Sequence, residues 1–288
     1  MRGRVCLVTG ANRGIGKATA LGLARLGATV VLLCRDTARG ARALDEVRRE
    51  SGNDAVALVA IDLGSFRSIR AAADEIRSRY SAVHVLVNNA GVNLARRAVS
   101  EDGFEMTLAV NHLGPFLFTG LLLPLLRAGA PSRIVNVTSK FERLGRIDFD
   151  DLQTTRRYSA VRAYNRSKLA NVLFTYELAE RLQGTGITVN CVHPGLVATD
   201  LMRDWPRWMR SLWEPFLLTP ERGARAVVYL ASSPAVSGVT GRFFVGEGRP
   251  GRSSRRSHDV EARKRLWRVS EELTGISVSG VEGRGSAG

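Results

Sequence analysis

Short apolar runs alternate along the chain with longer segments in which apolar residues recur every three or four positions. Short, continuous apolar runs are typical of parallel strands buried on both faces, and the intervening segments are typical of amphipathic helices. This alternation predicts an α/β doubly wound fold with a seven-stranded parallel sheet and helices on both faces. The predicted strands are Val5–Val8, Thr29–Leu33, Ala55–Ile61, Val83–Val87, Arg133–Val137, Ile187–Val192 and Phe243–Val245.

A glycine-rich turn follows the first predicted strand and precedes a helical pattern from Lys17 to Gly27. Glycines permit close backbone approach, and a helix N-terminus offers free N–H groups to a pyrophosphate. The spacing is Gly-x-x-x-Gly-x-Gly, and a tight βα connection without a ligand is the alternative interpretation. The position in the first βα unit favours a nucleotide site, with predicted contacts from Gly10, Asn12, Arg13, Gly14, Ile15 and Gly16.

The end of the second predicted strand indicates which nucleotide binds. An acidic residue there usually accepts a hydrogen bond from the ribose 2′-OH of NAD. This chain has Arg35 followed by Asp36, and Arg13 lies in the glycine turn. Two guanidinium groups would hold a 2′-phosphate through charge-assisted hydrogen bonds. We therefore predict NADP(H) in preference to NAD(H). One alternative is that Asp36 binds the ribose. Another is that Arg35 and Asp36 are both solvated charges in a loop.

A phenol and an ammonium group lie four residues apart, at Tyr164 and Lys168, within a helical pattern from Ala163 to Gln183. This spacing places both side chains on one helix face. A free tyrosine has a pKa near ~10, and a cation within about 4–6 Å favours the phenolate. The pair is suited to proton exchange in carbonyl/alcohol interconversion. Most such pairs are solvated helix faces, so the interpretation depends on the rest of the chain.

An ordered series of motifs resembles the short-chain dehydrogenase/reductase family, and within it the retinol dehydrogenase-like branch. The resemblance covers about residues 3–276 and implies a single-domain Rossmann-type fold. Sequence motifs that resemble this branch in particular occur at Val110–Phe116, Ser167–Thr175 and Arg265–Ser270. The family motifs are the glycine turn Thr9–Gly16, Asp62-Leu63, Asn88-Asn89-Ala90-Gly91, Asn111, Ser139, Tyr164 with Lys168, and Pro194-Gly195 with Thr199.

The resemblance implies a catalytic role for Asn111, Ser139, Tyr164 and Lys168. Ser139 would bind the substrate oxygen, and Tyr164 would deliver or take its proton. Lys168 would lower the pKa of Tyr164 and hold the nicotinamide ribose. Asn111 would anchor a proton-relay water. The cofactor would perform the hydride chemistry.

The resemblance also implies further cofactor contacts. Asp62 would reach the adenine amino group, Asn88 the adenine ribose, and Thr199 the nicotinamide carboxamide. The remaining predicted contacts are Leu63, Ala90, Gly91, Tyr164, Pro194 and Gly195.

Ser139 and Tyr164 are 25 residues apart, a spacing that matches the retinol dehydrogenase-like branch. We interpret the intervening segment, Lys140–Ser159, as a loop that rims the substrate entrance. Ser139 as a hydrolase nucleophile is the competing interpretation, but the chain lacks a Gly-x-Ser-x-Gly elbow around it. In this family the segment after Thr199, about residues 200–218, covers the substrate. Its tryptophans, Trp205, Trp208 and Trp213, predict an apolar pocket; membrane contact and core packing are the alternatives.

Composition fits one domain over residues 1–275, with a small, polar tail at 276–288 predicted to be disordered. The three cysteines are odd in number and fall in or beside predicted strands, which indicates reduced core thiols, no metal site and a cytoplasmic protein.

The chain begins at Met1 and enters its first strand at once, so we expect no signal peptide or anchor. The longest apolar stretch, Pro115–Leu126, is too short to span a bilayer and predicts a buried helix.

The net charge of +15 arises almost entirely from arginine, a bias typical of genomic base composition; an anionic membrane, an acidic substrate or nucleic acid as partner are the alternatives. No nucleic-acid motif accompanies it. The stretch Arg249–Ser257 is basic and predicted to be a flexible surface loop.

Two functional classes remain. We predict an NADP-dependent oxidoreductase for an apolar small-molecule alcohol or carbonyl. The alternative is a non-catalytic NADP-binding regulator or scaffold of the same fold. Retention of all four catalytic residues favours the enzyme. Homo-oligomers and peripheral membrane contact are compatible with the sequence, and no nucleic-acid partner is expected.

Overall fold

A twisted central sheet organises the protein, whose computed structural model describes residues 1–196 and 218–278. In this part of the chain the strand order is β3-β2-β1-β4-β5-β6-β7-β8. Strands β1 to β7 are parallel, and β8 pairs antiparallel with β7. The strands are β1 (Val5–Thr9), β2 (Thr29–Cys34), β3 (Val56–Ala60), β4 (Val85–Asn88), β5 (Ser132–Val137), β6 (Ile187–His193), β7 (Phe243–Val245) and β8 (Arg249–Pro250).

The predicted α/β fold and its seven parallel strands are confirmed, but the sheet has an eighth strand that was not predicted. Strand β8 is two residues long and both of its residues are exposed. It carries no apolar pattern, because its residues pair at the edge of the sheet through backbone groups alone.

Seven helices in the described part of the chain cover the sheet. Five of them, α2, α3, α5, α6 and α7, begin after an Asp, Ser or Thr whose side chain accepts a hydrogen bond from the first turn. The helices are α1 (Gly14–Arg25), α2 (Thr37–Ser51), α3 (Phe66–Arg79), α4 (Met106–Ala128), α5 (Ala160–Arg181), α6 (Pro220–Ser232) and α7 (Val260–Thr274).

The strands bury apolar side chains on both faces, which explains why their sequence runs are continuous. In β1, Leu7 packs into one core and its neighbours Cys6 and Val8 into the other. The first core adds residues of α3, α4, α5 and α7, and the second adds residues of α1, α2 and α6. The predicted burial of Cys6, Cys34 and Cys191 as free thiols is confirmed.

The chain reverses its direction across the sheet between β1 and β4. It passes from β1 outward to β3 and then returns to place β4 on the other side of β1. In open parallel sheets, ligands bind in the crevice at the carboxyl ends of the strands at such a switch point. The glycine turn after β1 and the motif after β4 both lie at this edge.

Helix α4 extends well beyond the predicted apolar stretch Pro115–Leu126. It runs over 23 residues, Met106–Ala128, and is the one helix of the described residues long and apolar enough to cross a membrane. Most of it, 78% of its apolar window, is buried within the fold. The prediction of a buried helix at Pro115–Leu126 is therefore confirmed, and α4 is a core helix of the fold.

The basic stretch after β7 was predicted to be a flexible surface loop; it lies at the surface, but hydrogen bonds attach it to the rest of the fold. Glu142, which has no exposed surface, accepts hydrogen bonds from Ser254 N and Oγ at 2.8 and 2.6 Å. Arg143 donates to the Arg252 carbonyl oxygen at 2.8 Å. The stretch is thus tied to the 3₁₀ turn Lys140–Leu144 through contacts between residues more than a hundred positions apart.

The folded unit also extends past the predicted boundary at residue 275. Ile276 and Val278 pack against the first core, near Gly120 of α4, and Val278 is 8% exposed. Val278 N donates to Glu271 Oε1 at 2.9 Å. Residues 279–288 of the predicted tail lie outside the described part of the chain.

Candidate active site

The glycine turn between β1 and α1 requires its glycines. Gly10 and Gly14 have positive φ of 66° and 55°. A Cβ on Gly16 would lie 2.3 Å from the Gly10 carbonyl oxygen and 2.6 Å from Asn89 Nδ2, so no larger residue fits without rearrangement. The turn therefore brings its backbone close to the loop after β4.

Thr9 and Asn89 hold these two loops together, and they were not among the predicted site residues. Thr9 Oγ1 accepts from Asn89 N and Ala90 N at 2.9 and 3.0 Å, and Asn89 Nδ2 donates to Thr9 O at 2.8 Å. The signal was present in the sequence, since both residues belong to the quoted motifs. Their role became visible only when the loops were brought side by side.

Helix α1 begins at this turn without a side-chain cap on its first N–H groups and without an acidic residue in its first turn. Its N-terminus thus offers unused donors and the positive end of its dipole. Together with the close backbone approach at Gly10 and Gly16, this arrangement fits the pyrophosphate of a nicotinamide dinucleotide.

The two charged residues after β2 have different partners. Asp36 accepts from Arg39 N at 2.9 Å as the cap of α2, and its other oxygen pairs with Arg39 Nε at 3.1 Å. Arg35 is largely exposed, and its Nη1 lies 3.7 Å from Asp62 Oδ2. The Asp36 carboxylate is therefore engaged by its own helix, while Arg35 and Asp62 stand together at the same strand edge. Arg13 is exposed and ends the turn just before α1.

Asn88 lies deeper than its predicted role requires. Its side chain is 5% exposed, and its Nδ2 donates to Thr119 Oγ1 and Asn136 Oδ1 at 3.1 and 2.8 Å. It braces β4 against β5 and α4. Contact between the Asn88 side chain and an adenine ribose stays a prediction.

Ser139, Tyr164 and Lys168 come together at the carboxyl end of β5. The Tyr164 hydroxyl is hydrogen bonded to the Ser139 side chain. Lys168 Nζ lies 5.4 Å from the centre of the Tyr164 ring and 3.4 Å from the Val137 carbonyl oxygen. All three side chains are buried.

Asn111 lies beside Lys168, across Gly91. A Cβ on Gly91 would be 3.3 Å from Asn111 Oδ1 and 3.4 Å from Lys168 Nζ. Asn111 occupies the π-helical turn Ala109–Leu113 inside α4, a local irregularity that often marks functional sites. Its amide is held by Val92 and by Ser167, because Oδ1 accepts from Val92 N at 2.7 Å and Nδ2 donates to Ser167 Oγ at 2.9 Å.

Burial dominates the acid–base properties of the pair on α5. It raises the pKa of Tyr164 above its ordinary range, and the hydrogen bond with Ser139 opposes this shift. It lowers the pKa of Lys168 to about 8. We predicted a lowered tyrosine pKa, and in the protein alone the direction is the opposite. The reason is that desolvation of the phenolate outweighs a cation that faces the ring and not the oxygen.

A cavity of about 410 Å³ opens at the carboxyl ends of β6 and β7. His193, Pro194 and Gly195 line it, and Gly195 has a positive φ of 101°. Burial lowers the pKa of His193 to about 4, so its ring is neutral near pH 7. Thr199 and the predicted lid tryptophans Trp205, Trp208 and Trp213 lie outside the described residues. Within residues 1–196 and 218–278, no group of three or more His, Cys, Asp or Glu could hold a metal ion.

Comparison with known proteins agrees with this geometry. The short chain dehydrogenase family model matches residues 4–210. Retinol dehydrogenase 14 of Homo sapiens is 44% identical over 96% of this chain and 88% of its own length.

Solved structures match as well. A protein from Mycobacterium paratuberculosis is 37% identical with a TM-score of 0.80, covering 96% of this chain and 95% of its own. The NADP active-site complex of Pseudomonas aeruginosa RhlG is 28% identical with a TM-score of 0.71, covering 86% and 96%. A Brucella melitensis 3-ketoacyl-(acyl-carrier-protein) reductase complexed with NADH is 29% identical with a TM-score of 0.68, covering 86% and 98%.

The matched family model, the close relatives and the shared fold lead to one conclusion: the chain belongs to the short-chain dehydrogenase/reductase family, whose members are oxidoreductases that use a nicotinamide cofactor.

Proposed function

We propose that the protein is an NADP-dependent oxidoreductase that interconverts an apolar alcohol and its aldehyde or ketone. The observation that carries the proposal is the convergence of Ser139, Tyr164, Lys168 and Asn111 at the carboxyl ends of β4 and β5. A non-catalytic nucleotide binder has no chemical need for this set. The retinol dehydrogenases among its relatives support an alcohol as substrate.

The reacting oxygen would be held by the Ser139 hydroxyl and would exchange its proton with Tyr164. When bound, NADP(H) supplies or accepts the hydride. The buried Lys168 ammonium would favour the phenolate that forms in reduction, since a nearby cation stabilises the charged form of tyrosine. It would also donate to the ribose hydroxyls of the cofactor. Asn111 is rigidly held beside Lys168 and would position a relay water.

NADP is favoured over NAD by the charges after β2. Arg35 is free of the helix cap and available to a 2′-phosphate, with Arg13 as the second predicted contact. Asp36 is occupied by Arg39, which supports a position away from a ribose hydroxyl. The other contacts we propose are Gly10, Asn12, Gly14, Ile15, Gly16, Asp62, Leu63, Asn88, Ala90, Gly91, Pro194, Gly195 and Thr199.

The proposal is tested by assaying the purified protein with retinoids, steroids and medium-chain alcohols or aldehydes, each with NADP(H) and NAD(H). We expect turnover of at least one apolar pair, with a higher kcat/KM for NADPH than for NADH. Tight cofactor binding with no turnover of any member of the panel would favour the regulator or scaffold instead. We further propose that the protein is cytoplasmic, which fractionation of cells with antibody detection would test; recovery in the membrane fraction would contradict it.

A further inference from the structure

The cavity at the carboxyl ends of β6 and β7 carries an excess of positive charge. Lys140, Arg222 and Arg249 line it, with Glu247 as the carboxylate among the lining residues described. Glu247 Oε1 already accepts from Arg225 Nη1 at 3.3 Å. The three cations have no ion-pair partner within the described ranges. Among these described residues, the cavity therefore offers an entering anion three cations against one carboxylate that is already paired.

The cavity begins next to the carboxyl end of β5, at Lys140. Lys140 directly follows Ser139, and its charge contributes to the lowered pKa of His193 on the neighbouring strand. Arg249 belongs to β8, three strands away from β5 in the sheet. Adjacent strands are about 4.8 Å apart, so the cavity leads roughly 14 Å from the Ser139 end toward the edge of the sheet. Pro194, Leu218 and Val245 provide apolar lining along the way.

A buried polar atom at this cavity lacks a partner. His193 is 6% exposed, and its Nδ1 has no hydrogen-bond partner among the described groups. Buried polar atoms are usually paired. A neutral imidazole can either donate or accept a hydrogen bond.

We propose that this cavity binds the anionic end of an amphiphilic substrate, a carboxylate or phosphate carried on an apolar chain whose hydroxyl or carbonyl reacts at Ser139 and Tyr164. Lys140, Arg222 and Arg249 are the cationic contacts, and the apolar lining receives the chain. The proposal rests on the proposed function and specifies its substrate class.

Calorimetric titration of the full-length protein tests the binding step without turnover. The ligands are 10-hydroxydecanoate, 10-hydroxydecyl phosphate and the uncharged 1,10-decanediol. We expect both anions to bind about tenfold more tightly than the diol at low salt, with the advantage shrinking as added salt screens the charges. Tighter binding of one anion identifies the preferred headgroup, and either preference supports the proposal.

Single variants locate the contact. Lys140→Met, Arg222→Met and Arg249→Met should each weaken the anions about three- to tenfold and leave the diol unchanged, since exposed ion pairs contribute modestly. Arg268→Met, at an exposed position of α7 outside the cavity lining, removes the same charge and is the matched control.

Equal affinity for the acid and the diol would overturn the proposal, as would an equal loss in Arg268→Met, because either result would assign the effect to overall charge. The assay of turnover separates this inference from the proposed function. Selective binding of the anions without oxidation would support the cationic site and contradict the oxidoreductase. Oxidation of the diol and the acid with equal kcat/KM would support the oxidoreductase and contradict the cationic site.

Discussion

The hydroxyl of Tyr164 is the group on which the proposed chemistry depends. It is buried and hydrogen bonded to Ser139, so its loss leaves the ring packed against Phe141, with ring centres 6.4 Å apart. Tyr164→Phe should lower kcat by about a hundredfold or more, the range lost with a general acid or base. Cofactor affinity, measured by fluorescence titration, should change little. Retention of more than about a tenth of wild-type kcat would remove Tyr164 from the acid–base role.

The Lys168 ammonium is expected to serve both the tyrosine and the cofactor ribose. Lys168→Ala should therefore lose activity and also weaken cofactor binding. Because the pKa of Lys168 is about 8, its charge is present below that pH and is lost above it. Wild-type cofactor affinity should fall as the pH rises through about 8, and this step should be absent in the variant. Titrations from mildly acidic to alkaline pH measure both effects; an unchanged affinity in Lys168→Ala would refute the ribose contact.

Arg35 is predicted to hold the 2′-phosphate of NADP. Losing a charge-assisted hydrogen bond costs about 1.5–3 kcal/mol, so Arg35→Ala should lower kcat/KM with NADPH by roughly ten- to a hundredfold. NADH, which lacks the phosphate, should be affected far less. Arg42→Ala, an exposed position of α2, is the control. If the wild-type enzyme used NADH equally well or better, Asp36 would become the ribose ligand despite its bonds to Arg39.

Among the elements, the segment after α7 shows most clearly that packing can differ from what the sequence pattern predicts. Residues 276–288 are small and polar on average, which predicted a free tail. Ile276 and Val278 nevertheless pack beside Gly120, where a Cβ would come within 2.9 Å of Ile276 Cδ1. Two apolar residues in a polar segment are too few to form a pattern, yet they are enough to dock on an existing core.

Two truncations separate the docked residues from the remainder. Ending the chain after Val278 should leave the melting temperature and turnover unchanged, as the composition of residues 279–288 suggests. Ending it after Thr274 should lower the melting temperature by several degrees, since buried aliphatic side chains contribute about 1–3 kcal/mol each. Scanning calorimetry provides the measurement. A similar loss in both truncations would show that the last ten residues contribute to folding.

At the scale of the whole molecule, buried histidines make folding sensitive to acid. Burial lowers the pKa of His112 to about 4, while an unfolded histidine titrates near ~6.5. The unfolded chain therefore binds more protons between these values, and stability is lost as the pH falls from about 6.5 toward 4. His193 and His84, whose pKa values are also lowered by burial, act in the same direction.

We expect His112 alone to cost about 2 kcal/mol of unfolding free energy between pH 7 and pH 5. Its Nε2 lies 2.9 Å from Ser270 Oγ, so His112→Asn should reduce overall stability but also flatten this part of the pH dependence. Denaturant titrations across this range measure the slope, with His258→Asn at an exposed position as the control. An unchanged slope in His112→Asn would show that other groups take up the protons.

The sequence by itself determined the seven parallel strands of the sheet and the order of the family motifs. Strands buried on both faces must be continuously apolar, so each run could be located without coordinates. The glycine turn was recognisable from its spacing, and its glycines are required because Gly10 has a positive φ and Gly16 leaves no space for a Cβ. Ser139, Tyr164 and Lys168 followed from their motifs, since strand ends and helix faces bring such positions to one edge.

Only the tertiary structure decided properties that depend on burial and on contacts between distant positions. The raised pKa of Tyr164 reflects desolvation that a helical spacing does not report. Glu142 and Ser254 meet across more than a hundred residues, and their hydrogen bonds attach the basic stretch to the turn after β5. The commitment of Asp36 to Arg39 is likewise a matter of geometry, because the same two residues at the same spacing could equally well face a ribose.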